Sequence, residues 1–67
     1  MDTIKRVQDL MQERDMNLCV LAKKCGISYS TIQTTARLGG QLSVVSIERI
    51  CLGLEITRKD FFDSSYL

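Results

Sequence analysis

Residues 17–40, NLCVLAKKCGISYSTIQTTARLGG, contain two short helical patterns joined by a turn of about three residues. Asn17 and Ser28 belong to the residue types that cap helix N-termini, because their side-chain oxygens accept hydrogen bonds from free backbone N–H groups. Gly26 supplies the left-handed backbone conformation that commonly ends a helix, and a double glycine closes the second pattern. The predicted helices span about residues 18–25 and 29–38.

Three further helices are predicted on either side of this segment. Residues 3–14 repeat apolar side chains at three- and four-residue steps, with Asp2 as the predicted N-cap. A fourth helix begins after Ser43 or Ser46 and is expected to be weakened near its end by Gly53. A T-x-x-D capping box opens a short fifth helix that carries two phenylalanines. No segment alternates polar and apolar residues over the length of a strand, so the predicted fold is all-α.

Length and composition favour one compact domain over residues 1–67. Hydrophobic residues make up 45% of the chain and proline is absent, which favours a folded helical module over a disordered segment. No apolar run reaches the roughly 18 residues of a membrane span, and the N-terminal sequence lacks the pattern of a secretory signal. We therefore expect a cytoplasmic protein that is too small for an elaborate active site.

The three cysteines, Cys19, Cys25 and Cys51, do not form the pattern of a disulfide framework or a metal site. Their number is odd, they lack C-x-x-C spacing, and the chain has no histidine to complete a zinc site. Cys25 and Cys51 fall on apolar helical faces and are predicted to be buried, whereas Cys19 is predicted to be exposed. We expect no metal, no cofactor and no enzyme activity, because the thiols would have to carry any catalysis.

Charge is distributed unevenly along the chain. The net charge is only +1, but no Asp or Glu occurs between Met16 and Ile47. Lys23, Lys24 and Arg37 give that segment a formal charge of +3. A local positive potential matters more for docking a polyanion than the total charge does, so this segment is a candidate nucleic-acid interface.

One face of the predicted helix over residues 29–38 is rich in hydrogen-bonding side chains. It is formed by Tyr29, Ser30, Gln33, Thr34 and Arg37. Ile32, Thr35 and Ala36 are predicted to lie toward the opposite side, and Ile32 is predicted to face the core. Two short helices joined by such a turn form the helix-turn-helix pattern, whose second helix enters the DNA major groove. There a glutamine amide can bind adenine bidentately, and hydroxyls can bond either kind of base. The alternative is an ordinary solvated helix face.

Three motifs in a fixed order extend this interpretation to the whole chain. They are LA at residues 21–22, GISYSTI at residues 26–32 and SIERICLGLEITRKDFF at residues 46–62. With these motifs the chain resembles the Cro/cI-type (XRE-like) helix-turn-helix family of bacterial and phage transcriptional regulators. The resemblance runs from residue 4 to residue 62 without a gap.

The resemblance implies an all-α, five-helix lambda-repressor-like domain with the helix-turn-helix at helices 2 and 3. Base contacts from the first residues of helix 3 would map onto Tyr29, Ser30, Gln33 and Thr34. Phosphate contacts from the start of helix 2 and both ends of helix 3 would map onto Asn17, Leu18, Ser28 and Arg37. Lys23, which projects outward from helix 2, is a further candidate for a phosphate contact.

Two features depart from the family pattern. Leu18 stands where the family usually has a glutamine as the first residue of helix 2, and a leucine cannot bond a phosphate. Leu38 and Leu42 stand where the family usually has the glycine and proline between helices 3 and 4. The loop over residues 39–42 is therefore expected to follow a path of its own.

These observations predict a DNA-binding transcriptional regulator, either a small repressor without an effector domain or a DNA-binding domain from a longer one. The alternative is a protein-interaction module of the same fold that has lost DNA binding. Double-stranded DNA is the expected partner, bound by a homodimer on a two-fold site. Phe62, Tyr66 and Leu67 are candidate dimer contacts, because the C-terminal segment has more apolar bulk than a small domain needs. Equally, Phe61 and Phe62 could both close the core.

Overall fold

The computed structural model describes residues 2–64, and over that range it consists of five α-helices without a strand. The helices are α1 (Thr3–Glu13), α2 (Leu18–Cys25), α3 (Tyr29–Arg37), α4 (Val44–Leu54) and α5 (Arg58–Phe62). The predicted all-α fold is confirmed. No helix among the described residues is long and apolar enough to cross a membrane.

The predicted N-caps form and fix where the helices begin. Side-chain oxygens of Asp2, Asn17 and Ser28 accept hydrogen bonds from the backbone N–H three residues on, at 2.9, 2.9 and 3.4 Å. Ser43, and not Ser46, caps α4, so that helix begins at the earlier of the two predicted positions. The capping box at the start of α5 is complete, with both of its reciprocal hydrogen bonds.

A single apolar core joins the helices. Phe61 lies within it at 0% exposure, whereas Phe62 is 38% exposed. Phe61 is therefore the ring that closes the core, and its neighbour on α5 remains on the surface. The core residues are Val7, Leu10, Leu21, Cys25, Ile32, Leu42, Ile47, Ile50, Cys51, Leu54 and Phe61.

Helices α2 and α4 cross in close contact at Gly53. A Cβ atom added to Gly53 would lie 2.5 Å from the sulfur and 2.9 Å from the Cα of Cys25. Helix α4 continues through Gly53 and ends one residue later, at Leu54. The missing side chain of Gly53 lets the two backbones approach. Nearby, Arg49 donates a 3.0 Å hydrogen bond to the carbonyl of Gly26, so α4 also contacts the turn between α2 and α3.

Arg6 of α1 fastens α5 to the rest of the domain. Its guanidinium is almost fully buried and donates to the backbone carbonyls of Phe61 and Asp60 at 2.7 and 2.8 Å. A third nitrogen pairs with the Asp9 carboxylate at 3.2 Å. The Asp60 carbonyl also accepts the backbone N–H of Asp63 at 3.3 Å, and Arg6 supplies both carbonyls with a charged donor at the end of this short helix.

The loop between α3 and α4 is tied to the first turn of α1. The Oε1 atom of Gln41 accepts hydrogen bonds from the backbone N–H and the hydroxyl of Thr3, at 2.9 and 2.8 Å. The same hydroxyl oxygen accepts a hydrogen bond from the backbone N–H of Leu42 at 2.9 Å. This network fixes the path of the loop at Gln41 and Leu42.

Replacing Glu55 with glycine is expected to stabilise the protein by about 0.5–1 kcal/mol. Glu55 is the C-cap of α4 with φ +58°, a left-handed conformation that is costly for a residue with a Cβ atom. Thermal unfolding should show a midpoint a few degrees higher. Glu55→Ala is the matched control, because alanine keeps the Cβ atom. Equal midpoints for the two variants would contradict this account.

Candidate nucleic-acid interface

Helix α3 presents its polar face to solvent. The exposed residues of this face are Tyr29, Ser30, Gln33, Thr34 and Arg37. On the other side Ile32 is buried at 4% exposure and packs into the core, which fixes the rotation of the helix about its axis. Thr35 is half-buried. Ala36 is exposed, because beside it the surfaces of α3 and α1 diverge into an open groove.

Two candidate base-contacting residues are joined by a hydrogen bond. The Nε2 amide of Gln33 donates to the phenolic oxygen of Tyr29 at 2.8 Å, one helical turn earlier. This bond uses one amide hydrogen of Gln33. The second hydrogen and the carbonyl oxygen are the donor and acceptor that match N7 and N6 of adenine. The two side chains therefore form one unit on the surface of α3.

The N-termini of α2 and α3 offer backbone N–H groups and the positive end of a helix dipole, which favour anions. Asn17 and Ser28 cap these two ends, and both are exposed. The side chain of Leu18 instead packs against the core and is half-buried. At this first position of α2, only the backbone is available for a phosphate.

The three cations of the acid-free segment are all exposed. Arg37 lies in the last turn of α3, on the polar face of that helix. Lys23 and Lys24 lie in the last turn of α2. At about 100° per residue, Lys24 falls on the same side of α2 as Asn17, whereas Lys23 lies about 120° away from it.

An open groove of about 590 Å³ lies between α1 and α3. Its apolar lining includes Ile4, Met11 and Leu18, and its polar lining includes Gln33 and Arg37 of the exposed α3 face. The sequence gives no local signal for this groove, because it arises from the packing of two helices that are distant along the chain.

The thiols divide as predicted, with Cys25 and Cys51 buried and Cys19 exposed. Burial raises the pKa of Cys25, and nearby Lys24 only partly offsets this effect. Burial likewise raises the pKa of Cys51, partly offset by Arg58. Both groups therefore stay protonated at neutral pH. Over residues 2–64 no group of His, Cys, Asp or Glu side chains is arranged to hold a metal ion.

The candidate dimer contacts lie at the end of the chain. Phe62 is partly exposed and its ring packs edge-on against Phe61, with 5.1 Å between ring centroids and an interplanar angle of 78°. Tyr66 and Leu67 lie outside the described residues. Phe62 is thus available on the surface of α5, while Phe61 serves the core.

Residues 6–64 match the family of Cro/C1-type helix-turn-helix DNA-binding domains. The chain belongs to this family, which confirms the resemblance carried by its motifs. Neither a curated protein nor a solved structure matches the sequence. The helix-turn-helix of this DNA-binding domain consists of α2, the turn at Gly26 and α3.

Proposed function

We propose that the protein is a sequence-specific DNA-binding transcriptional regulator, a repressor that reads the major groove with α3. The observation that carries this proposal is the exposed polar face of α3. Helix α3 is the second helix of the helix-turn-helix, and it lies in the segment over residues 16–47, which contains no Asp or Glu. Polar uncharged side chains on such a helix suit base edges, where hydrogen-bond geometry distinguishes one base pair from another.

The dimensions of α3 suit this role. An α-helix with its side chains is about 10–12 Å across, which fits a major groove roughly 12 Å wide. The nine residues of α3 give it a length of about 13.5 Å. In the proposed complex Gln33 binds adenine, while Tyr29, Ser30 and Thr34 contact neighbouring base edges. Thr34 and Ser30 offer hydroxyls that bond either kind of base.

Phosphate contacts orient the helix in the groove. The helix N-termini at Asn17 and Ser28 would each receive a phosphate oxygen on their backbone N–H groups. Arg37 and Lys23 would add charge contacts at the end of α3 and on the outer side of α2. Such contacts provide affinity and register without reading sequence.

A homodimer on a two-fold operator completes the proposal. Half-sites of helix-turn-helix dimers lie about 34 Å apart, one turn of DNA. The domain has principal-axis extents of 25 × 23 × 22 Å, so two copies fit side by side on one face of the duplex. Occupying a promoter in this way would repress transcription by excluding other proteins.

Gln33 and Arg37 are expected to contribute differently to binding. Gln33→Ala should cost ~1–3 kcal/mol on the preferred site, relax the preference at one base pair and leave nonspecific binding nearly unchanged. Arg37→Ala should weaken binding to all DNA sequences alike. It should also reduce the slope of log affinity against log salt concentration by about 1, because one fewer counterion is released. Fluorescence anisotropy on cognate and scrambled duplexes at several salt concentrations measures both effects.

The cognate DNA sequence for these measurements is identified by selecting the duplexes that the protein binds from random DNA. Both side chains are exposed, so neither variant should lower the unfolding midpoint, and this is the control for folding. Equal losses on cognate and scrambled duplexes for Gln33→Ala would show that α3 is not the reading helix.

The second candidate function is a protein-interaction module that has lost DNA binding. The groove between α1 and α3 favours it, because Ile4 and Met11 offer apolar surface there. Leu18 adds to this surface at the position where the family usually has a glutamine. An interaction module should show weak duplex binding without a steep dependence on salt. A salt titration therefore separates the two functions, since phosphate contacts release counterions.

A further inference from the structure

The outer face of α4 carries two large apolar side chains on either side of two opposite charges. Val45 and Leu52 are 60% and 73% exposed, and Glu48 and Arg49 between them are also exposed. The four positions are spaced i, i+3, i+4 and i+7, so they form one stripe along the helix. This stripe lies opposite the buried residues of α4. Among the described residues, neither ion pair includes Glu48.

The stripe is complementary to a second copy of itself that runs in the opposite direction. If a second α4 lies antiparallel, with a two-fold axis passing between positions 48 and 49, Val45 faces the partner's Leu52. In the same arrangement Glu48 faces the partner's Arg49, and each contact occurs twice. A two-fold interface requires this property, because the same surface must meet itself with the direction inverted.

We propose that the outer face of α4 is the contact surface for a second copy of this chain, packed antiparallel through Val45, Glu48, Arg49 and Leu52. This inference deepens the proposed function by naming the dimer surface. Only the role of the dimer on DNA rests on the proposed function. Self-association through α4 needs no DNA. The pair of charges sets the register, and the two apolar contacts bury surface that is otherwise in water.

The free dimer is expected to be weak. Two turns of one helix bury less than the roughly 800 Å² per partner of stable complexes, and exposed ion pairs contribute little. On a two-fold operator the two copies are held next to each other, which raises the effective concentration of each for the other. The α4 contact therefore matters most as a source of cooperativity between half-sites.

Charge reversal tests the proposed register. Glu48→Arg places two arginines opposite each other, and Arg49→Glu places two glutamates opposite each other. Each single variant should self-associate roughly tenfold more weakly than the natural sequence. An equimolar mixture of the two should form a heterodimer, because both charge pairs are then restored. The double variant Glu48→Arg/Arg49→Glu should again form a homodimer.

Sedimentation velocity and native mass spectrometry at concentrations up to about 1 mM measure these associations. Circular dichroism checks folding, since Arg49 also bonds the carbonyl of Gly26, whereas Glu48→Arg leaves that bond untouched. Leu52→Lys should abolish the dimer. Leu38→Lys is the matched control, because Leu38 is equally exposed at 73% but lies off the stripe.

Three results would overturn the α4 interface. The first is that the natural chain stays monomeric over the whole concentration range, and the second is that the single charge-reversal variants dimerise like the natural chain. The third is that Phe62→Ala removes the dimer while Leu52→Lys does not. Binding to a single half-site is measured in parallel. If the half-site is bound and α4 association fails, only this inference is wrong. If α4 association occurs and no duplex is bound, only the proposed function is wrong.

Discussion

Replacing Gly53 with alanine is expected to destabilise the protein by about 3 kcal/mol. The new Cβ atom would approach the sulfur of Cys25 to 2.5 Å and its Cα to 2.9 Å. The sulfur could rotate away, but the Cα is backbone, so α2 and α4 must separate. Alanine also favours a helix over glycine by about 1 kcal/mol, and the clash has to exceed that gain.

Chemical denaturation and the thermal midpoint measure this loss of stability. Gly40→Ala is the matched control, because a Cβ there meets only ordinary contacts at 3.7 Å or more, and it should change stability by less than about 1 kcal/mol. Since Cys25 immediately precedes the turn at Gly26, partial separation of the helices should also weaken DNA binding. An unchanged midpoint for Gly53→Ala would show that the two helices do not cross this closely.

Arg6→Ala is expected to cost about 2–4 kcal/mol, although it removes only one charged residue. The carbonyls of Phe61 and Asp60 would each lose a charge-assisted hydrogen bond, and α5 would lose its attachment to α1. Phe61 lies fully inside the core, so loosening α5 also exposes apolar surface. The free energy of unfolding from urea titration gives the value.

Arg14→Ala provides the comparison at the C-cap of the same helix. Arg14 is exposed, and both its hydrogen bond to the Leu10 carbonyl and its ion pair with Glu13 are long, at 3.5 Å. Its loss should therefore cost no more than about 0.5 kcal/mol. Arg6→Lys should recover part of the stability, because an ammonium cannot reproduce the fork of the guanidinium. Similar losses for Arg6→Ala and Arg14→Ala would mean that the carbonyl contacts contribute little.

The elements that sequence reasoning predicted correctly depend on short-range chemistry. A helix begins where a side chain such as that of Asp2, Asn17 or Ser28 can bond an N–H three residues ahead, and this can be read directly from the sequence. Periodicity likewise identified Ile32 as the inward residue of α3. Nothing beyond one or two turns of chain is needed for either inference.

The contacts that sequence reasoning missed join residues far apart in the chain. Arg6 meets the carbonyl of a residue 55 positions away, and Thr3 meets Gln41 across 38 positions. On its own, each of these side chains is an ordinary polar residue on a helix or in a loop. Gly53 is ambiguous for the same reason, because the need for a residue without a side chain at this position follows only from the packing of α2 against α4.

The candidate interface was predictable to the extent that it lies on one helix. The polar face of α3 follows from spacing, whereas the groove beside it requires the position of α1. Ala36 shows the limit of the periodic argument: it was predicted to lie on the side opposite the polar face, yet its side chain is exposed. In a domain this small, α3 buries only Ile32 below the surface, so its buried face is narrower than usual.

The hydrogen bond between Tyr29 and Gln33 has a consequence for how base preference is encoded. A glutamine side chain loses up to about 2 kcal/mol of rotamer entropy when it is fixed in one geometry. The Tyr29 hydroxyl restricts Gln33 before DNA arrives, so part of this cost falls on the free protein. In the proposed complex, Tyr29 thus lowers the entropic cost of the Gln33 contact, in addition to its own proposed contact with a base edge. Grafting Gln33 alone onto a related domain would transfer the amide without the hydroxyl that restricts it.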